Sequence, residues 1–124
     1  MQQPIFVYTF CLLFIAFASP RPVEWLGETT YDFGDIQAGK PVVFSFEYRN
    51  TGSEPLVIDN VRTGCGCTTS EWEEAPVAPG ATAKLVVEYD ARSVGYFRKY
   101  LKVYFRGHRG AEWLWIEGFV VHQP

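Results

Sequence analysis

The sequence predicts an all-β fold, an immunoglobulin-like antiparallel β-sandwich of about seven strands, and three observations carry that expectation. Apolar and polar residues alternate over short runs. Gly, Pro, Asn or Asp clusters interrupt those runs about every ten residues, the spacing of sandwiches and barrels. No stretch long enough for a helix carries a 3.6-residue period.

The domain begins after a leader. Residues 1–18 carry no charge, and Ile5 to Ala18 are almost wholly apolar, ending in Ala16-Phe17-Ala18 before Ser19. That is the shape of a secretory signal with an A-x-A cleavage site. The apolar run, about 14 residues, falls short of the roughly 20 that cross a bilayer as a helix. The leader lacks the usual basic residue, so an uncleaved membrane tether is the competing expectation. Cys11 follows Tyr8-Thr9-Phe10, without the small residues that precede a lipid-modified cysteine. The expectation is an exported protein, periplasmic or extracellular, whose mature part is one domain over residues 19–124 with no membrane span.

Within that domain Thr30 to Phe33 reads as a short first strand, turned by Gly34 to Gly39. Pro41 to Arg49, "PVVFSFEYR", places Phe44, Phe46 and Tyr48 on one face and Val43, Ser45 and Glu47 on the other. Asn50 to Pro55, "NTGSEP", is dense in turn formers, and Leu56 to Val61 follows as a strand. The cysteine segment "TGCGCTTSEW", Thr63 to Trp72, comes next. Ala78-Pro79-Gly80 turns into a strand with Ala83, Leu85, Val87 and Tyr89 facing inward. Phe97 to Phe105 and Glu112 to Val121 are the longest strands, joined by the hairpin-like "RGHRG".

Asn50-Thr51-Gly52, Pro55-Leu56, Cys65-Gly66-Cys67-Thr68, Trp72, Ala78-Pro79-Gly80, Tyr89-Asp90, Gly95 and the closing "LWIEGFV" together resemble the bacterial domain of unknown function 1573 family of secreted proteins. The resemblance covers nearly all of residues 19–124. It implies an immunoglobulin-like sandwich, similar to domains that assemble cytoskeletal and ciliary scaffolds, and no established enzymatic activity.

Cys65 and Cys67 leave three readings open. In an exported chain, two remaining cysteines make a disulfide the default. On an extended strand, residues i and i+2 stand roughly 6 to 7 Å apart, farther than bonded cysteines allow, so the backbone would have to kink at Gly66. So short a loop removes little unfolded-state entropy. A pair pinning a corner beneath Trp72 is one reading, and a reducible redox pair is the second. Glu71, Glu73 and Glu74, opposed by Arg62, disfavour an activated thiolate. The third is a Cu(I) site of Cys65, Cys67 and His122, since soft thiolates suit that ion. His108 belongs to the other end of the fold.

The last two strands carry another signal. If Leu101, Val103 and Phe105 face the core with Leu114, Ile116 and Val120, then Tyr100, Tyr104, Trp113, Trp115 and Phe119 face away, beside Arg98, Lys102, Arg106 and Glu117. Tyr and Trp mixed with Arg is the composition of binding hot spots, and planar aromatics also suit sugar rings. The competing explanation is cover: cross-strand pairs of aromatics and cations, or the N-terminal Val23-Glu24-Trp25-Leu26 packed over them.

Composition excludes other classes. Aromatics make up 17% of the chain, which argues against disorder. A net charge of −3 with interspersed signs argues against a nucleic-acid partner. Two histidines at opposite ends do not serve a Ser/His/Asp arrangement, no phosphate-binding glycine fingerprint is present, and the carboxylates fall on outward positions or turns. The expectation is a non-catalytic binding or structural module without a cofactor, engaging a protein or cell-envelope component. A thiol-based redox or Cu(I) protein is the alternative.

Overall fold

Strand alternation becomes two buried faces. The computed structural model describes residues 21–122, so the leader expected over residues 1–18, with Cys11, lies outside the described residues. Eight strands form two four-stranded sheets. One has the order β1 (Val23–Leu26), β3 (Val42–Asn50), β6 (Thr82–Tyr89), β5 (Thr68–Trp72). The other has the order β2 (Thr30–Gln37), β8 (Glu112–Val121), β7 (Gly95–Phe105), β4 (Ile58–Thr63).

The facing sides make the core. Phe46 and Tyr48 of β3 and Leu85 and Val87 of β6 meet Leu101 and Val103 of β7 and Leu114, Ile116 and Val120 of β8, all buried. The expected inward register of the long strands therefore holds residue for residue.

Three details differ from the sequence expectation. The eighth strand is β1, only Val-Glu-Trp-Leu, too short to display alternation; it pairs with the far half of β3, Trp25 opposite Tyr48. It therefore lies in the other sheet and does not cover the aromatic face. β2 continues through the expected turn to Gln37, because its register shifts between Asp32 and Asp35. Gly34 sits in that bulge at φ 69°, its N–H donating to Asp32 Oδ1 at 2.8 Å. Opposite it, a Cβ on Gly118 would fall 2.9 Å from the Gly34 carbonyl oxygen. Last, β2 runs parallel to β8, while the other strand pairs are antiparallel. Side-chain periodicity carries no information about strand direction.

The two ends are closed by different means. At one, Ala38 N–H donates to Val121 O at 3.0 Å, Gly39 N–H to Ala91 O at 2.9 Å and Asp90 N–H to Cys67 O at 3.0 Å. At the other, the side chain of buried Asn50 donates to Glu54 O at 2.7 Å and Val77 O at 2.8 Å and accepts from Gly52 N–H at 2.9 Å.

Candidate functional site

The cysteine corner leads from β4 in one sheet to β5 in the other. The Thr63 hydroxyl ends β4 by donating to Cys65 O at 3.1 Å. The chain then turns so that the Cα atoms of Cys65 and Cys67 stand 5.3 Å apart with their sulfurs in bonding contact. The kink is present, but Gly66 is not what steric demand singles out: its φ lies outside the left-handed region, and a Cβ there would meet nothing within 4 Å. Gly64 is the constrained glycine, because an added Cβ would sit 2.9 Å from Cε1 of Tyr100.

Charge around the corner also differs from expectation. Glu88, Asp90 and Arg92 border the shallow cleft that Gly66 and Cys67 line, in place of Glu71, Glu73 and Glu74. Arg92 Nε lies 3.8 Å from Asp90 Oδ2. His122 does follow β8 to the cysteine end. Among the described residues, however, no three His, Cys, Asp or Glu side chains stand together as a metal-ligand group, so the Cys65, Cys67, His122 cluster is not assembled. His108 lies in the β7–β8 hairpin, at the opposite end of β8.

The outer face of the β2-β8-β7-β4 sheet gathers most of the expected aromatic set. Tyr100 stands opposite Trp115, Lys102 opposite Trp113 and Arg98 opposite Glu117. Lys102 Nζ lies 4.5 Å from the Trp113 ring centre, and Arg98 Cζ 4.6 Å from that of Trp115. The two indoles are near parallel with centroids 6.0 Å apart, and Tyr100 packs on both. Each indole thus has a cation on its face and the other indole alongside, within cation–π range. That leaves less open ring for a planar sugar than the sequence suggested. Trp113 nevertheless remains 46% exposed, so the array is a surface as well as a cover.

Phe119 lies at the cysteine end of the face, paired across the strands with Tyr96. One expected member stands apart. Arg106 lies just past β7, its Nε 3.7 Å from Asp59 Oδ1. Two residues absent from the expected set belong to the face. Arg62 stands opposite Lys102 with its Cζ 5.6 Å from the Tyr104 ring centre. Tyr96 donates its hydroxyl to Glu117 Oε2 at 3.2 Å. Extending β7 by one residue along the same alternation would have found Tyr96; alternation from buried Leu56 and Ile58 would instead have placed Arg62 inward, and it faces out because the β4 register shifts between Ile58 and Asn60.

Sequence reasoning also missed a cleft of about 310 Å³ at the hairpin end, lined by Arg21, Pro22, Leu56, Phe105, His108 and Glu112 among others. Arg21 Nη1 closes part of it with a 3.0 Å ion pair to Glu112. Its signal was the pairing of two turn-rich loops, which only the fold brings together.

The profile of the DUF1573 family, a protein of unknown function, matches residues 25–120. The chain belongs to the DUF1573 family. In this DUF1573 domain several of the motif residues have structural work: Asn50 ties its own loop to Val77, and Gly80 N–H donates to Asn50 O at 2.7 Å. Solved structures share the sandwich. A protein of unknown function from Porphyromonas gingivalis W83 is 18% identical with TM-score 0.67, over 78% of this chain and 46% of that one. The PapD-like domain 7 of human CEP192 is 10% identical with TM-score 0.70, over 83% of this chain and 87% of that one. The VesB protease of Vibrio cholerae is 14% identical with TM-score 0.62, over 81% of this chain and 32% of that one. The DUF1573 chain thus spans about half of the Porphyromonas protein and a third of the protease, and at these identities the likeness is one of fold. No curated protein sequence matches it.

Proposed function

We propose that this DUF1573 domain is an exported, non-catalytic binding module that engages a protein or cell-envelope component through the outer face of β7 and β8. The observation that carries the reading is the Arg98, Trp115, Tyr100, Trp113, Lys102 array. Large rigid side chains and cations are concentrated on one partly exposed face, the composition from which interaction hot spots are built. Export rests on the character of residues 1–18, and the reading as a non-enzyme rests on the separation of His108 from His122 and the outward placement of the carboxylates. Among the described residues no helix is long and apolar enough to cross a membrane.

Trp115→Ala tests the face. The variant is expected to fold, with unchanged far-ultraviolet circular dichroism, and to lose a partner that the parent chain retains from envelope extract and that mass spectrometry identifies. Equal retention of that partner by both chains would count against the face.

The contact between Cys65 and Cys67 favours a second reading, thiol–disulfide exchange. A thiolate of a partner dithiol would attack one sulfur, the other would leave as thiolate, and the partner's second thiol would resolve the mixed disulfide, so the partner is oxidised as this chain is reduced. Thiol titration with mass spectrometry, with and without added Cu(I), separates the readings. Free, unreactive thiols that take up no metal would remove the thiol reading.

A further inference from the structure

We infer that the rim of this face at β4 is a docking site for an extended acidic polypeptide segment. The inference rests on the binding reading above and names the partner's chemistry. Three observations carry it.

First, Arg62 and Lys102 stand directly opposite each other on neighbouring strands. Like charges in that position repel. Among the described residues neither forms an ion pair; each lies instead over aromatic rings, Arg62 over Tyr104 and Lys102 over Trp113 and Tyr100. Arg98 and Arg106, by contrast, have carboxylates at 4.0 and 3.7 Å. In a chain of net charge −3, two adjacent uncompensated cations on an aromatic floor are complementary to an anion.

Second, β4 is the outermost strand of its sheet, with β7 as its ladder partner. Val77 exchanges backbone hydrogen bonds with Leu56 just ahead of it, but Ile58 to Thr63 have an open edge. An open edge offers alternating N–H and C=O groups that a polypeptide backbone matches and a lipid headgroup does not.

Third, the other edges are less receptive to an acidic segment. β2 presents Asp32 and Asp35, β1 has four residues, and β5, with five, carries Glu71 and no cation, whereas β4, which has its own register shift between Ile58 and Asn60, carries Arg62. A strand added at β4 would lie about 4.8 Å from it and place alternate side chains on the outer face beside Arg62. A carboxylate there would pair with Arg62 and offset its repulsion by Lys102.

The test uses the purified chain and two synthetic peptides, Thr-Glu-Val-Glu-Val-Glu-Thr and its Lys-for-Glu counterpart, followed by indole fluorescence and amide chemical shifts. The Glu peptide is expected to bind saturably and at least tenfold more tightly than the Lys peptide, with shifts concentrated in Ile58 to Thr63. Arg62→Gln combined with Lys102→Gln is expected to weaken it at least tenfold, as is N-methylation of alternate peptide amides. Both substitutions are at the surface, and an unchanged melting temperature checks the fold. Equal affinity for the two peptides, or shifts confined elsewhere, would overturn the inference. So would binding of phosphatidylglycerol vesicles, lost in the double variant, with no response to the Glu peptide, because the cations would then serve a membrane. A partner lost by Trp115→Ala but kept by the double variant leaves the face standing and removes the acidic segment. Glu-peptide binding that survives alongside unchanged partner retention by Trp115→Ala does the reverse.

Discussion

The ring of Tyr100 lies against the backbone of Gly64, so close that a methyl group at Gly64 would stand 2.9 Å from Cε1 and 3.0 Å from Cζ of the ring. The glycine that opens the cysteine corner is thus a floor tile of the aromatic face. Gly64 and Tyr100 are 36 residues apart in sequence, and their contact makes the two candidate sites neighbours in space.

Gly64→Ala must displace Tyr100, and with it the packing of Trp113 and Trp115. A destabilisation of about 1–3 kcal/mol, the usual cost of overpacking, is expected in urea unfolding, together with a changed near-ultraviolet signal from the indoles. Gly66→Ala, with open space around the new methyl group, is expected to stay within about 0.5 kcal/mol of the parent. Equal effects of the two substitutions would contradict the contact.

The part of this fold that side-chain alternation encodes was legible. Leu101, Val103 and Phe105 were assigned to the core together with Leu114, Ile116 and Val120, and all are buried, because a period of two leaves one face free to be apolar. What alternation does not encode was not legible. The parallel pairing of β2 with β8, the bulge at Gly34 and the pairing of β1 with β3 depend on contacts between distant segments. The candidate face was found because its aromatics lie on the two longest strands. Arg62 escaped because the register shift between Ile58 and Asn60 reverses the alternation that starts at buried Ile58, and Gly64 escaped because its constraint comes from Tyr100.

Joining Cys65 to Cys67 closes a loop of three residues, which by loop-closure entropy stabilises the fold by no more than about 1–2 kcal/mol. The double substitution Cys65→Ala, Cys67→Ala is therefore expected to cost less than Leu101→Ala, whose buried side chain is worth about 2–5 kcal/mol. Urea unfolding of both variants makes the comparison. A larger cost for the cysteine variant would show that the corner holds more of the fold than its length allows.

Asn50 is buried and uses both amide protons, donating twice and accepting once. Asn50→Ala leaves the carbonyls of Glu54 and Val77 and the N–H of Gly52 without these partners, for an expected loss of about 2–4 kcal/mol. Asn50→Asp is expected to be at least as harmful near neutral pH. Its carboxylate keeps the Gly52 N–H but cannot donate to either carbonyl and would be a buried charge facing two carbonyl oxygens without a counter-ion. An Asp variant as stable as the parent would mean that the two carbonyls are satisfied otherwise.

Alkaline stability should report on Tyr48. Burial, with a smaller contribution from the charge of Glu73, pushes its phenol up from 10.0 to about 12. Burial, with Asp90, also raises Tyr89. A folded-state pKa above the unfolded value means that the native protein holds the proton more tightly. The associated stability is fully present below pH 10 and is lost as pH rises from there toward about 12. For Tyr48 the two-unit span corresponds to a loss on the order of 2–3 kcal/mol. The urea midpoint of the parent chain is expected to fall steadily above pH 10, and Tyr48→Phe, which has no phenol to ionise, should fall less steeply over the same interval. Parallel pH curves for the two proteins would show that Tyr48 ionises as freely in the fold as in the unfolded chain.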